Sequence, residues 1–381
     1  MNTNDKPLRL AVISDIHLGS KRNSTEKIIA NLNKYINVSS FLVTIDILFI
    51  AGDLFDEMLF LAADDVDLIT IWIAKLLRNC AKHNVILRVL EGTPSHDRGQ
   101  SKAFNTAYHI SVKAGMREVN MKYINTLSIE YIPGLGINVL YVPDEWGPTS
   151  EDTLDQVKAL LRNNNLKKVD YAIMHGLFDY QLPSHIPHIP RHNEIEYSKL
   201  VKRLIFIGHI HTFSTSGKVI AQGSFDRLSH NEEEPKGFVR AVVQPNGEYE
   251  MKFIENKSAA TYLTITCSEP EVTDSLLWID SKISKLEAGS NIRIEAHYTN
   301  AILSNMSVVK ERWPLFNWTS IARGKEKKES EVVMDHKNVY VPILLDRQNL
   351  ARVVLDRLHP IGLSEVVLEH CRAHLAEVTG A

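Results

Sequence analysis

Short apolar runs alternate with amphipathic stretches along the first part of the chain. Runs rich in β-branched residues occur at LRLAVIS, DILFIAG and NVILRVLEG, and helical patterns near residues 24–36 and 62–82 separate them. Strands that alternate with helices are typical of a parallel sheet with crossover helices. This part of the chain is therefore predicted to form an α/β structure.

The next part of the chain is richer in strand patterns. Apolar runs occur at SIEYI, INVLYVP, VDYAIMHG, RLIFIGH, KVIAQGS and GFVRAVVQ, with one helical pattern near residues 150–163. A sheet buries its apolar face against another layer of structure. We therefore expect two packed sheets with helices on their outer sides.

The segment ENKSAA is a predicted domain boundary, near residues 256–260. Before it, residues 1–256 are expected to form the catalytic domain. After it, residues 257–330 are expected to form a smaller α/β domain, with strands at YLTITCS and NIRIEAHY around a helix over residues 272–286. The charged stretch RGKEKKESE is expected to be an exposed loop or linker.

A C-terminal segment is predicted for residues 331–381. It contains the strand pattern VYVPILL and helical patterns over residues 347–358 and 364–378. The last helix has an apolar stripe that would suit either a partner protein or the chain's own core. The sequence leaves both uses open.

Composition and charge narrow the class of protein. With 44% hydrophobic and 23% charged residues, the chain fits neither a disordered nor a fibrous protein. A formal net charge of −3 gives no general attraction for nucleic acid, so phosphates would need a local basic patch. The first residues lack the pattern of a secretion signal, and no apolar run approaches the ~20 residues of a membrane span. A cytoplasmic protein without membrane association is expected.

The cysteines argue against a sulfur-based site. Cys80, Cys267 and Cys371 are far apart, odd in number and free of CxxC spacing. Disulfide frameworks and thiolate zinc sites require closer or paired cysteines. We expect these three to be reduced and structural.

Acidic residues and histidines come where predicted strands end. The motif DIH follows the first strand and GD the second, while MHG and GHIH end two later strands. In open α/β sheets, ligands bind at the carboxyl ends of the strands, where loops converge. We expect six side chains to meet there: Asp15, His17, Asp53, His175, His209 and His211.

These residue types suit a pair of divalent metal ions. Two residues separated by one can leave a turn on the same side, so each such pair can bind one ion. Asp53 can bridge two ions ~3.5–4 Å apart, the separation used for in-line displacement at phosphorus. Imidazole and carboxylate ligands suit manganese, iron or zinc better than calcium. Each motif alone has an ordinary structural explanation, such as a helix N-cap at Asp53, but their joint order favours a two-metal phosphodiesterase.

The motifs DIH, GDLFD, SHD, MHG and GHIH, in this order, resemble those of calcineurin-like metallophosphoesterases. Within that superfamily they are most similar to the SbcD-type nuclease subunit of the SbcCD double-strand-break repair complex and its phage relatives. The stretch GSFDRLSHNEEEPKGFVRAVV is similar to the segment after the last motif. The resemblance covers residues 8–254 and implies a four-layer α-β-β-α sandwich, a smaller α/β capping domain and C-terminal helices.

The resemblance also assigns site residues. It implies that His96 is the catalytic acid and that Asp97 orients it by a hydrogen bond. It implies two sets of ligands that share one acid: Asp15, His17, Asp53 and His211 for one ion, and Asp53, His175 and His209 for the other.

Two positions depart from the family pattern. The third family motif is Gly-Asn-His-Asp, whereas this chain reads EGTPSHD, so Ser95 stands in place of the asparagine ligand. A serine oxygen is a poorer ligand, and the second site is expected to be weaker or completed by water. Asp56 stands where SbcD-like nucleases usually carry a histidine that helps to place the DNA strand. We therefore leave the preference for exonuclease or endonuclease cutting open.

Basic residues and further histidines lie beside the motifs. Lys21, Arg22 and Arg98 are candidate contacts to DNA phosphates, although such residues are often simply surface residues. The loop LPSHIPHIPRH holds three more histidines that are expected to be structural or exposed, with contacts to substrate as the alternative: His185, His188 and His192.

The resemblance implies a DNA exonuclease or endonuclease with two divalent ions, manganese first and magnesium, iron or zinc as alternatives. It implies a dimer that works with an SbcC-like ABC-type ATPase in the cytoplasm of a bacterium or a phage-infected cell. Two other functions stay open because a fold does not determine a substrate. One is a small-molecule phosphodiesterase or phosphatase, and the other is a non-catalytic scaffold, suggested by Ser95 and Asp56.

Overall fold

The structure, a computed structural model, describes residues 6–183 and 190–324. The chain divides into two compact units, Met1–Lys325 and Glu326–Ala381. Several predictions concern segments outside the described residues, namely the C-terminal strand and helices, Cys371, His185 and His188. The two predicted boundaries between the three segments remain predictions.

The described strands form three sheets, two large and one small. Their bounds are β1 (Leu8–Ile13), β2 (Ile47–Ala51), β3 (Ile86–Leu90), β4 (Met121–Ile124), β5 (Ser128–Ile132), β6 (Ile137–Val142), β7 (Val169–Gly176), β8 (Val201–His209), β9 (Ser214–Ser216), β10 (Val219–Ala221), β11 (Gly237–Val243), β12 (Tyr249–Glu255), β13 (Tyr262–Cys267), β14 (Asn291–His297) and β15 (Asn317–Arg323).

Helices connect many of these strands. Their bounds are α1 (Thr25–Tyr35), α2 (Ser39–Leu42), α3 (Asp64–His83), α4 (Ala103–Lys113), α5 (Ser150–Asn163), α6 (Glu194–Leu200), α7 (Val272–Ile283), α8 (Ala301–Ser304) and α9 (Met306–Arg312).

The two large sheets are mostly parallel at their centres. The first has the order β12-β11-β1-β2-β3-β4, in which β1 to β4 run parallel and β11 runs antiparallel to β1. The second has the order β5-β6-β7-β8-β10-β9, with antiparallel strands only at its two edges. Parallel strands β1, β2, β7 and β8 thus deliver the predicted motifs from their carboxyl ends.

Both faces of each large sheet are buried. Leu10 and Val12 of β1 pack with residues of the second sheet, while Ala11 and Ile13 pack under the helices α1, α3 and α4. This alternation follows from the two-residue period of a strand. The second sheet is covered on its outer face by α5 and α6, through residues such as Val157. The predicted four-layer α-β-β-α arrangement is confirmed.

Local signals explain where the helices begin. The side chain of Ser24 accepts a hydrogen bond from the amide of Lys27 at the start of α1, and Thr149 does the same for Asp152 at the start of α5. Helix α4 is not predicted by the sequence pattern, because AFNTAYHISVK buries only Phe104 and Ala107 and so has a weak apolar stripe.

Residues after β12 form a smaller α/β structure. Its strands β13, β14 and β15 are parallel, and α7 packs on them through Leu276, Ile279 and Ile283. Among the described residues, no helix combines the length and the apolar character that crossing a bilayer requires.

Candidate metal centre

The loops that carry the first motifs are held in an unusual backbone conformation. Asp15, His17 and Asp53 have φ angles of 50°, 55° and 48°, and His209 has a φ of 102°. Residues other than glycine rarely adopt positive φ, at a cost of ~1–3 kcal/mol each, and such strain concentrates at functional sites. The amides of Ile16 and His17 donate to the carbonyl of Asp53, which joins the β1 and β2 loops.

A glycine is required beside these loops. Gly52 has a φ of 86°, and a Cβ there would collide with the ring of His175. The GD motif therefore serves two purposes, because the glycine lets the histidine approach and the aspartate supplies a carboxylate.

The structure brings the predicted ligands together in three overlapping groups. Within each group the ligand atoms lie within 4.8 Å of one another. Asp53 belongs to two of the groups, as an acid shared by two ions would. His96 belongs to one of these two groups. The groups are Asp15 with His17 and His211, His17 with Asp53 and His96, and Asp53 with His175 and His209.

The outer nitrogens of two histidines are held by backbone carbonyls. Nδ1 of His175 lies 2.7 Å from the carbonyl oxygen of Ala51, and Nδ1 of His96 lies 2.7 Å from that of Asp56. A carbonyl only accepts hydrogen bonds, so Nδ1 carries the proton in both rings. Nε2 is then the atom with a free lone pair, which is the form that binds a metal.

Two further histidines are held by carboxylates. Nδ1 of His211 lies 3.0 Å from Oε1 of Glu232, and Nδ1 of His17 lies 3.0 Å from Oδ1 of Asp56. Carboxylate partners of this kind orient metal-binding imidazoles and make them more basic. Asp56, predicted as a residue that positions substrate, thus contacts both His17 and His96.

The inner nitrogens fit divalent cations. Nε2 of His175 is fully buried, has no hydrogen-bond partner among the described residues and lies 3.2 Å from Oδ2 of Asp53. Nε2 of His17 lies 3.1 Å from Nε2 of His211. Lone pairs that face each other or a carboxylate repel, and a cation between them removes the repulsion. The residues present therefore fit the two ions that the motifs predict.

Electrostatics keep the shared acid ionised. Burial by itself would raise the pKa of Asp53, but His175, His17 and the Thr93 amide hold that pKa well below its usual range. Burial lowers the pKa of His209, and the neighbouring His175 lowers it further. An ionised carboxylate among imidazoles is a suitable bridge between two cations, which would take the place of the protons on those rings.

The structure corrects the prediction for Asp97. Its Oδ1 accepts from the amide of Phe55 at 2.9 Å and its Oδ2 from the amide of Gly92 at 2.7 Å. The ring of His96 is held by the Asp56 carbonyl instead. Asp97 therefore ties two motif loops together, because the turn after Thr93 buries its carboxylate against the amides of Phe55 and Gly92. Burial and the nearby Asp53 raise the pKa of Asp97 to about 7.

Ser95, predicted as a ligand of the second ion, is exposed, and that role stays a prediction. Thr93 lies in the expected place instead: its Oγ1 is 3.2 Å from Oδ2 of Asp53 and 3.3 Å from Nδ1 of His209. Gly92 and Thr93 follow β3 with Glu91 between, in the order in which Gly-Asn begins the family motif, and Pro94 and Ser95 are extra residues before His96. Matching the motif from its glycine would have identified Thr93.

Two acids near the centre were missed. Oδ2 of Asp144 lies 3.1 Å from Oγ1 of Thr93 and 3.4 Å from Nδ1 of His209. Asp144 follows β6, so its position at a strand end was a usable signal. Glu232 lies in the loop HNEEEPKG and had no local signal, since nothing in that stretch distinguishes it from its acidic neighbours.

A buried lysine supports the Glu232 loop. Lys236 donates to the carbonyl of His211 at 2.9 Å and to Oε1 of Glu234 at 2.7 Å, and its Nζ lies 3.4 Å from Oε2 of Glu232. Burial would raise the pKa of Glu232, but His211 and Lys236 lower it to about 2. Glu232 is therefore a stable anionic partner for His211 at neutral pH.

The candidate substrate contacts lie on the surrounding loops. Lys21 is exposed and its Nζ lies 2.8 Å from Oε1 of Glu57. The carbonyl of Arg22 accepts from the hydroxyl of Tyr262 at 2.6 Å, and Nε of Arg98 donates to the carbonyl of Ser95 at 3.0 Å. His192 is buried, as one of the two expectations for it stated.

Comparison with known proteins identifies the family. The model of calcineurin-like phosphoesterases matches residues 8–213, more than half of the chain. The chain is a member of the calcineurin-like phosphoesterase family. In this calcineurin-like phosphoesterase the matched residues include every ligand of the three groups. The centre is accordingly that of a metal-dependent phosphoesterase.

Solved structures, but no curated proteins, are similar to this calcineurin-like phosphoesterase. The crystal structure of TT1561 of Thermus thermophilus is similar at 12% sequence identity and a TM-score of 0.36, covering 66% of this chain and 100% of that one. Another crystal structure is similar at 14% identity and a TM-score of 0.35, covering 65% of this chain and 98% of that one.

Proposed function

We propose that this phosphoesterase is a two-metal DNA phosphodiesterase, the nuclease subunit of an SbcCD-like repair and recombination complex. The observation that carries the proposal is the position of Asp53, which is shared by two ligand groups while His96 joins one of them. Manganese is the proposed metal, since the ligands are imidazoles and carboxylates.

The proposed reaction assigns a role to each part of the centre. Two bound ions would supply Lewis-acid activation of water and stabilise charge on the phosphoryl oxygens. Asp53 holds the two ligand groups at a common point. The Asp56 carbonyl holds Nδ1 of His96, which leaves Nε2 as the nitrogen available for catalysis in a ring that belongs to the ligand group of His17 and Asp53. From there His96, when protonated, would give a proton to the leaving oxygen.

DNA is the proposed substrate because of the motif order and the loops around the centre. Lys21, Arg22 and Arg98 each lie beside a metal motif, so they supply the local positive charge that a chain of net charge −3 needs to approach phosphates. Contacts of this kind position a strand without reading its sequence.

A nuclease assay with His96→Ala tests the proposal. Wild type is expected to degrade linear and hairpin-ended duplex DNA with manganese, and His96→Ala to be about 10²–10⁴-fold slower, the usual contribution of general acid–base catalysis. His109→Ala, an exposed histidine on α4, is the matched control and should cut normally. Cleavage of bis-(p-nitrophenyl) phosphate without any cleavage of DNA would contradict the proposal.

An ABC-type ATPase is the proposed partner, docked by the C-terminal segment 331–381, which lies outside the described residues. Its last predicted helix is amphipathic, as a docking helix would be. Deletion from Gly362 onward should leave metal-dependent hydrolysis intact and abolish association with the ATPase. Loss of folding on truncation would count against this partner.

The non-catalytic alternative rests on Ser95 and Asp56, and its basis is weaker than the sequence suggested. Thr93 lies beside Asp53, and Asp56 contacts two histidines of the centre. A chain that had lost catalysis would have no need to retain these partners. Failure of the wild-type protein to bind manganese in solution would support this alternative over the proposed nuclease.

A further inference from the structure

A cleft of about 360 Å³ adjoins the centre. His209 and Asp144 line it, so it opens beside the ligand group that contains His175. Trp146 and His192 line it as well, together with the residues that begin α5. None of these last residues belongs to the predicted motifs, and the proposed mechanism does not use them.

Trp146 offers an aromatic surface to this cleft. It is 37% exposed, and its Nε1 donates to Oε1 of Gln156 on α5 at 3.0 Å. The hydrogen bond fixes the indole against a helix of the scaffold. A partly exposed indole held in one orientation is suited to stacking against a flat ring.

His192 places a buried ring at the wall of the same cleft. It is 8% exposed, packs edge-on against Tyr197 with ring centres 5.2 Å apart, and its Nδ1 is buried without a hydrogen-bond partner among the described residues. That nitrogen is covered by protein atoms, so the polar atom that His192 offers at the cleft wall is Nε2.

Gly176 keeps open a small space between two polar side chains. A Cβ on this residue would lie 3.0 Å from Oδ1 of Asp144 and 3.3 Å from Nε2 of His192. A carboxylate and an imidazole nitrogen therefore converge on one point of the cleft wall, where a group with N–H donors would be bound.

The charge of the lining residues decides whether the cleft suits the phosphate or the base of a nucleotide. The charged residues that line the cleft, Asp144 and Glu145, are both acidic, and no lysine or arginine is among its described lining residues. A phosphate would be repelled. A neutral, flat ring with amino groups on its edge, which describes a nucleobase, matches both the indole and the polar atoms.

We infer that this cleft receives one unpaired nucleobase next to the phosphodiester that is cleaved, stacked on Trp146 with its polar edge towards Asp144 and His192. The inference rests on the proposed function and names a substrate class for it: a strand whose end is frayed or single-stranded at the site of cleavage. Unpairing releases the base from its duplex partner and makes its edge available.

Kinetics on single-stranded DNA test the inference. Trp146→Leu should raise KM about 5- to 150-fold, the range expected for one base–aromatic stack, with kcat within about twofold of wild type. Trp146→Phe should recover most of the loss because it retains an aromatic ring. Trp278→Leu is the matched control, since Trp278 is 39% exposed on α7, and its KM should not change.

A second substrate, a strand as long as the single-stranded DNA but without any bases, separates the loss of base stacking from other effects of the substitution. Wild type should have the same raised KM on this substrate as Trp146→Leu has on normal DNA, and Trp146→Leu should lose nothing further. Manganese affinity measured on each variant reports whether the centre is intact.

Three outcomes would overturn the inference. An unchanged KM for Trp146→Leu, or a wild type that cleaves base-free and normal strands with equal KM, would remove the base site and leave the nuclease proposal standing. Hydrolysis of bis-(p-nitrophenyl) phosphate without any DNA cleavage would remove the proposed function and the base site with it.

Discussion

Nδ1 of His211 lies 3.0 Å from Oε1 of Glu232, 21 residues further along the chain. The contact fixes the ring so that its Nε2 lies 3.1 Å from Nε2 of His17. A residue outside the five motifs that carry the candidate ligands therefore determines how one of those ligands is presented. Glu232 is in turn held by the loop that the buried Lys236 supports.

We predict that Glu232→Ala weakens manganese binding about 10- to 100-fold, the usual effect of removing the partner of a metal-binding histidine. Titration of the metal, followed by calorimetry, measures the change. Glu234→Ala is the control: Glu234 is a neighbouring acid that contacts Lys236 and Thr212. Equal effects of the two substitutions would mean that Glu232 acts only through the loop.

Substitutions of Thr93 and of Ser95 are predicted to have different effects on manganese affinity. Thr93→Ala should lower the affinity of the weaker manganese site about tenfold, because the hydroxyl beside Asp53 and His209 is lost. Thr93→Ser keeps that hydroxyl and should bind nearly as wild type does. Ser95→Ala should have no effect on metal titration, and a loss of affinity there would restore Ser95 as a ligand.

Asp97 is predicted to act on stability. Asp97→Ala leaves the buried amides of Phe55 and Gly92 without an acceptor, so the free energy of unfolding should fall by about 2–5 kcal/mol. Urea unfolding measures it. Asp155→Ala removes an exposed acid on α5 and should stay within about 0.5 kcal/mol of wild type. If the two variants were equally stable, the role given to Asp97 would be wrong.

His192 should make the protein less stable in mild acid. Burial lowers its pKa to about 4, whereas the unfolded chain has a histidine pKa of about 6.5. Between these values the unfolded state binds more protons, so stability falls as pH decreases from about 6.5 to about 4. Between pH 7 and 4.5 wild type should lose about 2 kcal/mol more than His192→Gln, as measured by urea unfolding at each pH. Parallel pH profiles would contradict this assignment.

Buried thiols should be unreactive. Burial raises the pKa of Cys80 to about 12, and burial with the nearby Glu269 raises that of Cys267 to about 11. Because only the thiolate reacts, neither cysteine should be alkylated at pH 8 before unfolding. In a Cys371→Ser protein, Cys80 and Cys267 are the only cysteines. Rapid alkylation of this protein in its native form would show that one of the two thiols is accessible, against the prediction.

The amino-acid sequence by itself determined the order of layers and the set of candidate metal ligands that the fold brings together. Strand and helix periods are local properties, and both faces of β1 carry apolar residues, so a buried parallel sheet could be predicted. The candidate ligands could be predicted because each lies at or just after the carboxyl end of a strand, and the carboxyl ends of parallel strands meet at one edge.

Only the tertiary structure decided which other side chains contact those candidate ligands and orient them. Glu232, Asp56 and Asp144 reach the histidines from separate loops, and the packing of the two large sheets sets the distances between those loops. The direction of a side chain within a turn is also not given by spacing, which is why Thr93 and not Ser95 lies beside Asp53. The cleft between Trp146 and His192 has the same origin, because its two walls are 46 positions apart in the sequence (192 − 146) and meet only in the folded chain.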